Sequence, residues 1–200
     1  MPLYRQNESN FYYVHIPRTA GRFFKELMLS NNLLEKYGDY NKFHCGWEVP
    51  HLFYPMYNDL DDVSQVKKIT IVRNPVERFK SCAKCFINYH NLRLDFFDDD
   101  FTEDRFLRIM DHEMKLKNPF ILCQSNFIEK NTLVWKYEDG FGLNFIDWLN
   151  SNLDIRIELK PINYTKRPYD NINPQISKKV LNIAKKFYKK DYEMFDYSGD

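Results

Sequence analysis

Short apolar runs alternate along the chain with segments whose apolar residues recur at helical spacing. The runs at residues 11–16 (FYYVHI), 67–73 (KKITIVR) and 132–139 (TLVWKYED) are rich in aromatic and β-branched residues, which is typical of buried strands. Amphipathic helices are predicted at residues 21–34, 76–92, 101–115, 141–153 and 175–195. Leu34 closes the apolar stripe of the first helix, and the last helix is predicted to be continuous.

Strands that alternate with helices predict a parallel sheet covered by helices on both faces. We therefore predict an α/β fold in a single domain over residues 1–200, with a central parallel sheet flanked by helices. In such sheets ligands bind at the carboxyl ends of the strands, where the loops into the helices begin. The loops after Ile16 and Val72 lie at such ends, so a ligand is expected there first.

The charge balance limits the partners that the protein is expected to bind. Its 200 residues carry a formal net charge of +1, which offers no general attraction for nucleic acid or an anionic membrane. Any site for an anion must therefore be local. No apolar run is long enough to span a bilayer, and the segment MPLYRQNESN has no export signal. We expect a cytoplasmic protein with no nucleic-acid partner and no membrane span.

The four cysteines do not predict a disulfide framework or a metal centre. Cys82 and Cys85 form a C-x-x-C pair inside a predicted helix, but no second close pair completes a set of four ligands. Reduced and partly buried thiols are therefore the expectation, and no metal is expected.

The first loop of interest, HIPRTAGRFF at residues 15–24, combines the features of an anion site. A helix N-terminus presents unpaired N–H groups and the positive end of the helix dipole. Gly21 allows a close approach of the backbone, and Thr19 adds a hydroxyl. Arg18 and Arg22 add positive charge. Taken alone, the loop is equally consistent with an ordinary strand-to-helix turn that carries two solvated arginines.

The second loop, TIVRNPVERFKS at residues 70–81, places Arg73 at a strand end in the same way. Ser81 follows roughly two helical turns later and is expected to face back toward that end. Arginine donors with a hydroxyl suit a phosphate monoester, which accepts bidentate charged hydrogen bonds. The alternative is that Arg73 and Arg78 pair with carboxylates on the surface, which is a common and weak arrangement.

Together these loops resemble the cofactor motifs of sulfotransferases that use 3'-phosphoadenosine 5'-phosphosulfate (PAPS). The resemblance is to the carbohydrate branch that includes heparan sulfate 2-O-sulfotransferase. HIPRTAG is similar to that family's 5'-phosphosulfate loop, usually HIPKTAG followed by Thr or Ser, and IVRNPVERFKS is similar to its 3'-phosphate motif. The resemblance continues through NPFILCQ, LVWKYEDG and KKFYKKDYEMFDY, and it implies a three-layer fold like that of P-loop NTPases.

The resemblance also implies which residues hold PAPS and its product, adenosine 3',5'-bisphosphate (PAP). The 5'-phosphosulfate would lie in the first loop, on Arg18, Thr19, Ala20, Gly21 and Arg22. Arg73 and Ser81 would hold the 3'-phosphate. A basic loop, NYTKRPYDN at residues 163–171, would close over the nucleotide with Lys166 and Arg167 near phosphate, although a solvated loop is an equally good interpretation.

Two residues depart from the family's pattern. Arg18 replaces the catalytic Lys, and Arg22 replaces the Thr or Ser that binds the 5'-phosphate. Arginine neutralises phosphate charge but stays protonated, so it cannot donate a proton as readily as Lys. The leading hypothesis is an enzyme that transfers a sulfuryl group from PAPS to a hydroxyl of a glycan or small molecule. The alternative is a PAP- or PAPS-binding module of sulfotransferase descent with impaired catalysis.

Transfer to a hydroxyl usually needs a base that takes the acceptor proton. In relatives the base lies between the two cofactor motifs, a segment that contains KFHCGWEVPHLF in this chain. His44 resembles the family's base best by position, with His51 and Glu48 as alternatives for which a structural or solvated role is favoured. His15 is expected to be a core or supporting residue.

Overall fold

The computed structural model describes residues 2–89, 100–162 and 171–198, and its contacts divide the chain into two units. The first unit comprises Met1–Arg73 with Asn126–Asn163, and the second comprises Asn74–Ser125 with Tyr164–Asp200. The first unit contains the sheet, and the second unit is helical. The single domain over residues 1–200 stays a prediction.

The strands of the described residues all belong to the first unit. They are β1 (Leu3–Gln6), β2 (Ser9–Val14), β3 (Leu34–Lys36), β4 (Phe43–His44), β5 (Trp47–Glu48), β6 (Lys67–Val72) and β7 (Leu133–Lys136). Five of them form a sheet in the order β3-β1-β2-β6-β7, and β4 pairs with β5 in a separate hairpin. Strands β2, β6 and β7 are parallel, whereas β1 is antiparallel to both of its neighbours. The three predicted strands are therefore confirmed as the parallel part of an α/β sheet, and the antiparallel part formed by β1 and β3 is a feature that the sequence did not predict.

The helices follow the predicted order along the chain. They are α1 (Gly21–Ser30), α2 (Pro75–Tyr89), α3 (Glu103–Lys115), α4 (Leu143–Leu153), α5 (Lys178–Phe187) and α6 (Lys189–Met194). Thr102 caps α3 by accepting the N–H of Arg105 at 3.1 Å, which confirms the predicted start of that helix. Within the described ranges, no helix combines the length and the apolar character needed to cross a membrane.

One face of the sheet packs against α1 and α4. Alternate residues of a strand point to the same face, which here carries Phe11 and Tyr13 of β2 and Ile69 and Ile71 of β6, each at most 1% exposed. The helices fill this core with Phe24, Leu27, Met28, Phe145, Ile146, Leu149 and Leu153. The apolar stripes predicted for these two helices therefore face the sheet.

Helix α1 is shorter than predicted. It ends at Ser30, and Asn32 takes a left-handed conformation with φ of 62°. Asparagine tolerates this conformation better than most residues and commonly ends helices. Leu34 then enters β3 opposite Arg5 and is 71% exposed, so its predicted place on the helical stripe is wrong.

The second unit is held together by buried polar side chains as well as an apolar core. Arg78 is 1% exposed and donates to the carbonyl oxygens of Leu122 at 2.8 Å and Phe120 at 3.2 Å. Asp191 is fully buried and accepts the backbone N–H groups of Gln124 at 2.8 Å and Ser125 at 2.9 Å. Arg78 is thus a structural residue of the interior, not a member of a surface ion pair.

The helix predicted over residues 175–195 is divided. Helix α5 ends at Phe187 and α6 begins at Lys189, because Tyr188 leaves the helical repeat with φ of −92° and ψ of 18°. Its side chain is 2% exposed, and its hydroxyl donates to the carbonyl of Ile121 at 3.1 Å. Tertiary contacts of this kind override local helix propensity.

The cysteines play no part in a disulfide. Cys82 and Cys85 are buried in α2, where their thiols contact the carbonyl oxygens of Phe120 at 3.4 Å and Ser81 at 3.8 Å. The expected burial is confirmed for this pair, while Cys45 is exposed.

Candidate active site at the ends of the parallel strands

Three strand ends meet at one edge of the sheet in the first unit. In the parallel ladders, Val14 of β2 lies opposite Thr70 of β6, and Val72 of β6 lies opposite Lys136 of β7. The Thr70 hydroxyl also donates to the carbonyl of Val14 at 2.7 Å and ties the first two strands together. The chain therefore leaves the sheet on the same side after each of these strands, through the loop after β2, Arg73 after β6 and the turn after β7. The carboxyl ends of parallel strands are where α/β proteins bind ligands.

The loop between β2 and α1 has an unusual backbone. Arg18 and Ala20 both adopt positive φ angles, of 70° and 71°. Thr19 between them is fully buried, and its hydroxyl donates to the carbonyl of Ile16 at 2.8 Å. Alternation of left-handed and ordinary residues turns backbone N–H groups toward one side, an arrangement that binds anions in many loops. The Thr19 hydroxyl proton is used to fix the loop itself.

The start of α1 carries positive and no negative side chains. Ala20 occupies the N-cap position and forms no side-chain cap hydrogen bond, and the first turn contains no acidic residue. Arg22 lies in that turn and is half-buried, as is Arg18 before it. The helix dipole and the two guanidinium groups therefore favour an anion at this helix end.

Gly21 is required for a reason that the sequence did not reveal. A Cβ atom at this position would lie 1.8 Å from Nε2 of His15 and 2.2 Å from Cδ2. His15 is only 8% exposed, so its imidazole ring lies over the first residue of α1 with little room to move. The glycine thus admits the histidine ring, in addition to any close approach to an anion.

His15 in turn contacts His51, the second of two buried histidines near this loop. The ring centroids lie 4.6 Å apart, and His51 is 5% exposed. Nδ1 of His51 is 3.5 Å from the carbonyl oxygen of His15, and its Nε2 is 3.9 Å from a carboxylate oxygen of Glu48. Burial raises the pKa of Glu48 above its ordinary value. Tyr40 also packs against His51, with ring centroids 5.5 Å apart.

His44, the predicted base, occupies a different environment. It lies in β4, with its side chain 30% exposed, and Nε2 is 3.1 Å from a carboxylate oxygen of Asp59. The contacts described for His44 tie it to the segment around Asp59, whereas those of His51 lead to the loop before α1. The role of His44 as the base stays a prediction.

Arg73 is half-buried at the end of β6. Its guanidinium carbon lies 4.5 Å from the centroid of the Tyr137 ring, which follows β7. This distance defines a cation–π contact between the first residues after two paired strands. Ser81 lies in α2 of the second unit and is 9% exposed, and its part in phosphate binding stays a prediction. Lys166 and Arg167 lie outside the described residues.

Across the described parts of the chain, no group of three His, Cys, Asp or Glu side chains is arranged to hold a metal ion. The positive side chains described in the loop after β2 and directly after β6 are arginines, Arg18 and Arg73.

The whole chain was compared with families of known proteins. A family model described as "Sulfotransferase family" matches residues 2–198. The chain belongs to the sulfotransferase family. No curated protein and no solved structure gives a match. The prediction of a sulfotransferase is thereby confirmed, and with it sulfuryl transfer in general terms, while the carbohydrate branch and the PAPS donor stay predictions.

A sulfotransferase must stabilise negative charge on the leaving group and orient the acceptor. The loop with Arg18 and Arg22 has the charge for the first task. Sequence reasoning located that loop but missed the packing of His15 on Gly21 and the stacking of Arg73 on Tyr137. Only the run HIP, with a histidine directly before the loop, hinted at the former.

Gly21→Ala is expected to destabilise the protein by about 1–3 kcal/mol, because the new methyl group collides with a buried ring. Helix propensity alone predicts the opposite sign, a gain of about 1 kcal/mol. Urea unfolding followed by circular dichroism measures the change.

Two further variants separate the collision from other effects. Gly142→Ala, at the start of α4, is the matched control, since a Cβ there meets no atom within 4 Å. In the Gly21→Ala, His15→Ala double variant, the loss should be smaller than the sum of the two single losses. Additive losses would contradict the collision.

Proposed function

We propose that this sulfotransferase uses PAPS as its donor and transfers the sulfuryl group to a hydroxyl of a glycan or small molecule. The observation that carries the proposal is the pair of basic loops at the carboxyl ends of adjacent parallel strands, in a chain of this family. We assign the enzyme to the carbohydrate branch that includes heparan sulfate 2-O-sulfotransferase, and the motif resemblance supports this assignment.

In this proposal the donor is held at both of its phosphate ends. Arg18 and Arg22, with the backbone of residues 19–21, bind the 5'-phosphosulfate at the N-terminus of α1. Arg73 binds the 3'-phosphate, together with Ser81 by the motif resemblance. Lys166 and Arg167 are proposed, on the same basis, to close over the nucleotide. The fold expected for such a site is the three-layer architecture of P-loop NTPases.

The proposed reaction is an in-line displacement at sulfur. The acceptor oxygen forms a bond to sulfur while the bond from sulfur to the 5'-phosphate oxygen breaks, and the electron pair leaves with PAP. Negative charge grows on that phosphate oxygen, where Arg18 and Arg22 stabilise it through charged hydrogen bonds. Because arginine keeps its proton, this stabilisation is electrostatic, not general-acid catalysis. The acceptor proton goes to a base.

We place His51 ahead of His44 as that base. The ring of His51 contacts the ring of His15, which covers Gly21. These contacts connect His51 to the loop between β2 and α1, where the 5'-phosphosulfate is proposed to bind. A hydrogen bond from Nδ1–H of His51 to the carbonyl of His15 leaves Nε2 as the basic nitrogen. Once Nε2 is protonated, the Glu48 carboxylate 3.9 Å away stabilises the imidazolium.

Arg73→Ala is expected to weaken PAP binding at least about tenfold, since a charged hydrogen bond contributes about 1.5–3 kcal/mol. Isothermal titration calorimetry with PAP measures the dissociation constant directly. Arg5→Ala is the matched control because Arg5 is an exposed arginine in β1 of the same unit. Equal PAP affinity for wild type and Arg73→Ala would refute the assignment of the 3'-phosphate site.

The base assignment predicts a difference between two histidine variants. His51→Gln should lower kcat by about 10²–10⁴-fold and remove the rise of kcat with pH that reports deprotonation of the base. His44→Gln should retain that pH limb and most of the activity. The measurement is the pH profile of sulfuryl transfer from PAPS to a panel of hydroxyl acceptors. The reverse pattern would restore His44 as the base.

A second candidate function is a PAP-binding module with impaired catalysis, and the replacement of the family's Lys by Arg18 favours it. Under this hypothesis the wild type binds PAP but transfers no labelled sulfate from PAPS to any acceptor of a broad panel. Arg18→Lys should then restore transfer without tightening PAP binding by more than a few-fold. Measurable turnover by the wild type would exclude this candidate.

A further inference from the structure

The turn after β7 holds an aromatic ring beneath the arginine proposed to bind the 3'-phosphate. Tyr137 is the first residue after β7, as Arg73 is the first after β6. Because Val72 lies opposite Lys136 in the parallel ladder, the next residues of the two strands are neighbours. The cation–π contact at 4.5 Å therefore follows from the strand register, which the sheet fixes.

The ring of Tyr137 is held in place by its own turn. The short 3-10 helix Tyr137–Asp139 closes with a hydrogen bond from the N–H of Gly140 to the carbonyl of Tyr137 at 3.1 Å. The indole N–H of Trp135 donates to the carbonyl of Gly140 at 2.9 Å. Gly140 has φ of 75° and ψ of −178°, a conformation that is essentially confined to glycine.

The same ring is packed from the side by a row of aromatic residues. Phe141 meets Tyr137 edge-on with centroids 5.3 Å apart, and it packs against Phe23 with centroids 4.7 Å apart. Phe23 belongs to the first turn of α1 and follows Arg22 directly. A tyrosine held by its own turn and packed against Phe141 in this way offers the guanidinium a rigid surface.

We infer that Tyr137 is a positioning residue that orients the Arg73 guanidinium and so makes the site selective for donors with a 3'-phosphate. Stacking engages the face of a guanidinium, while its N–H groups point outward in the plane. A bidentate bond to phosphate needs that plane in one orientation, and the tyrosine ring supplies it. This inference rests on the proposed function, because it assumes a 3'-phosphorylated nucleotide at Arg73.

The test compares two nucleotides that differ only in the 3'-phosphate, PAP and adenosine 5'-monophosphate (AMP). For wild type, PAP should bind more tightly than AMP. Tyr137→Leu should weaken PAP binding about three- to tenfold and leave AMP binding within about twofold. Tyr137→Phe keeps the ring and should keep the wild-type ratio of the two affinities. A merely structural role would lower both affinities together.

A series of ring variants keeps the test valid if Tyr137→Leu does not fold. Phenylalanine and 3,4,5-trifluorophenylalanine at position 137 have nearly the same shape, but fluorine withdraws the electron density that attracts a cation. The fluorinated protein should bind PAP more weakly than the phenylalanine protein, with AMP binding unchanged. Equal PAP affinities in this pair would overturn the inference.

Tyr37→Leu is the matched control, because Tyr37 also lies beneath a cation, Lys36, with Nζ 4.7 Å from its ring centroid. Tyr37 directly follows β3, and β3 and β7 are the two opposite edge strands of the sheet. Loss of the Tyr37 ring should therefore not change the ratio of PAP to AMP affinity. Wild-type protein that does not prefer PAP to AMP would refute the proposed function itself. A wild-type preference that survives in Tyr137→Leu would refute only the inference about Tyr137.

Discussion

The parallel pairing of β2, β6 and β7 is the constraint on which the candidate site depends. It brings together residues that are far apart in the chain, since the loop at residues 17–20, Arg73 and Tyr137 all follow strands of one ladder. A slip of one residue would turn each strand's side chains to the other face. Both faces of β2 and β6 are buried, so such a slip would remove their apolar side chains from the core formed with α1 and α4, and the loss of this packing protects the register. The geometry of the site is thus maintained by apolar burial away from it.

The loop between β2 and α1 stores strain that the surrounding packing holds in place. A left-handed conformation costs about 1–2 kcal/mol for a residue other than glycine, and both Arg18 and Ala20 have positive φ angles. Thr19 between them is buried and bonded to Ile16, and the ring of His15 lies on Gly21. These contacts leave the chain little alternative to the strained path. Strain of this kind is typical of functional loops, where it fixes the backbone before the ligand arrives.

Sequence patterns predicted what depends on local periodicity and missed what depends on pairing. The three parallel strands, the order of the helices and the two basic loops could be read directly, because burial imposes a regular spacing on apolar residues. Strands β1 and β3 have four and three residues on the antiparallel side of the sheet, and nothing in their composition distinguishes them from loops. The division of the last helix depends on tertiary contacts of Tyr188 and Asp191. The stacking of Arg73 on Tyr137 depends on register, which no single segment reveals.

The rigid surroundings of the loop between β2 and α1 bear on its two arginines, Arg18 and Arg22. A lysine ammonium is a point charge on a flexible stem and follows a moving phosphate, whereas the planar guanidinium binds well only in a fixed orientation. The first turn of α1 is held on one side by His15 against Gly21 and on another by Phe141 against Phe23. Because the start of the helix is fixed in this way, the guanidinium N–H groups of Arg22 extend from a fixed backbone position. Arg73 receives the same support from the Tyr137 ring. Under the proposed function, a site that uses arginine where the family has lysine would need a more rigid scaffold, and these aromatic and histidine contacts would provide it.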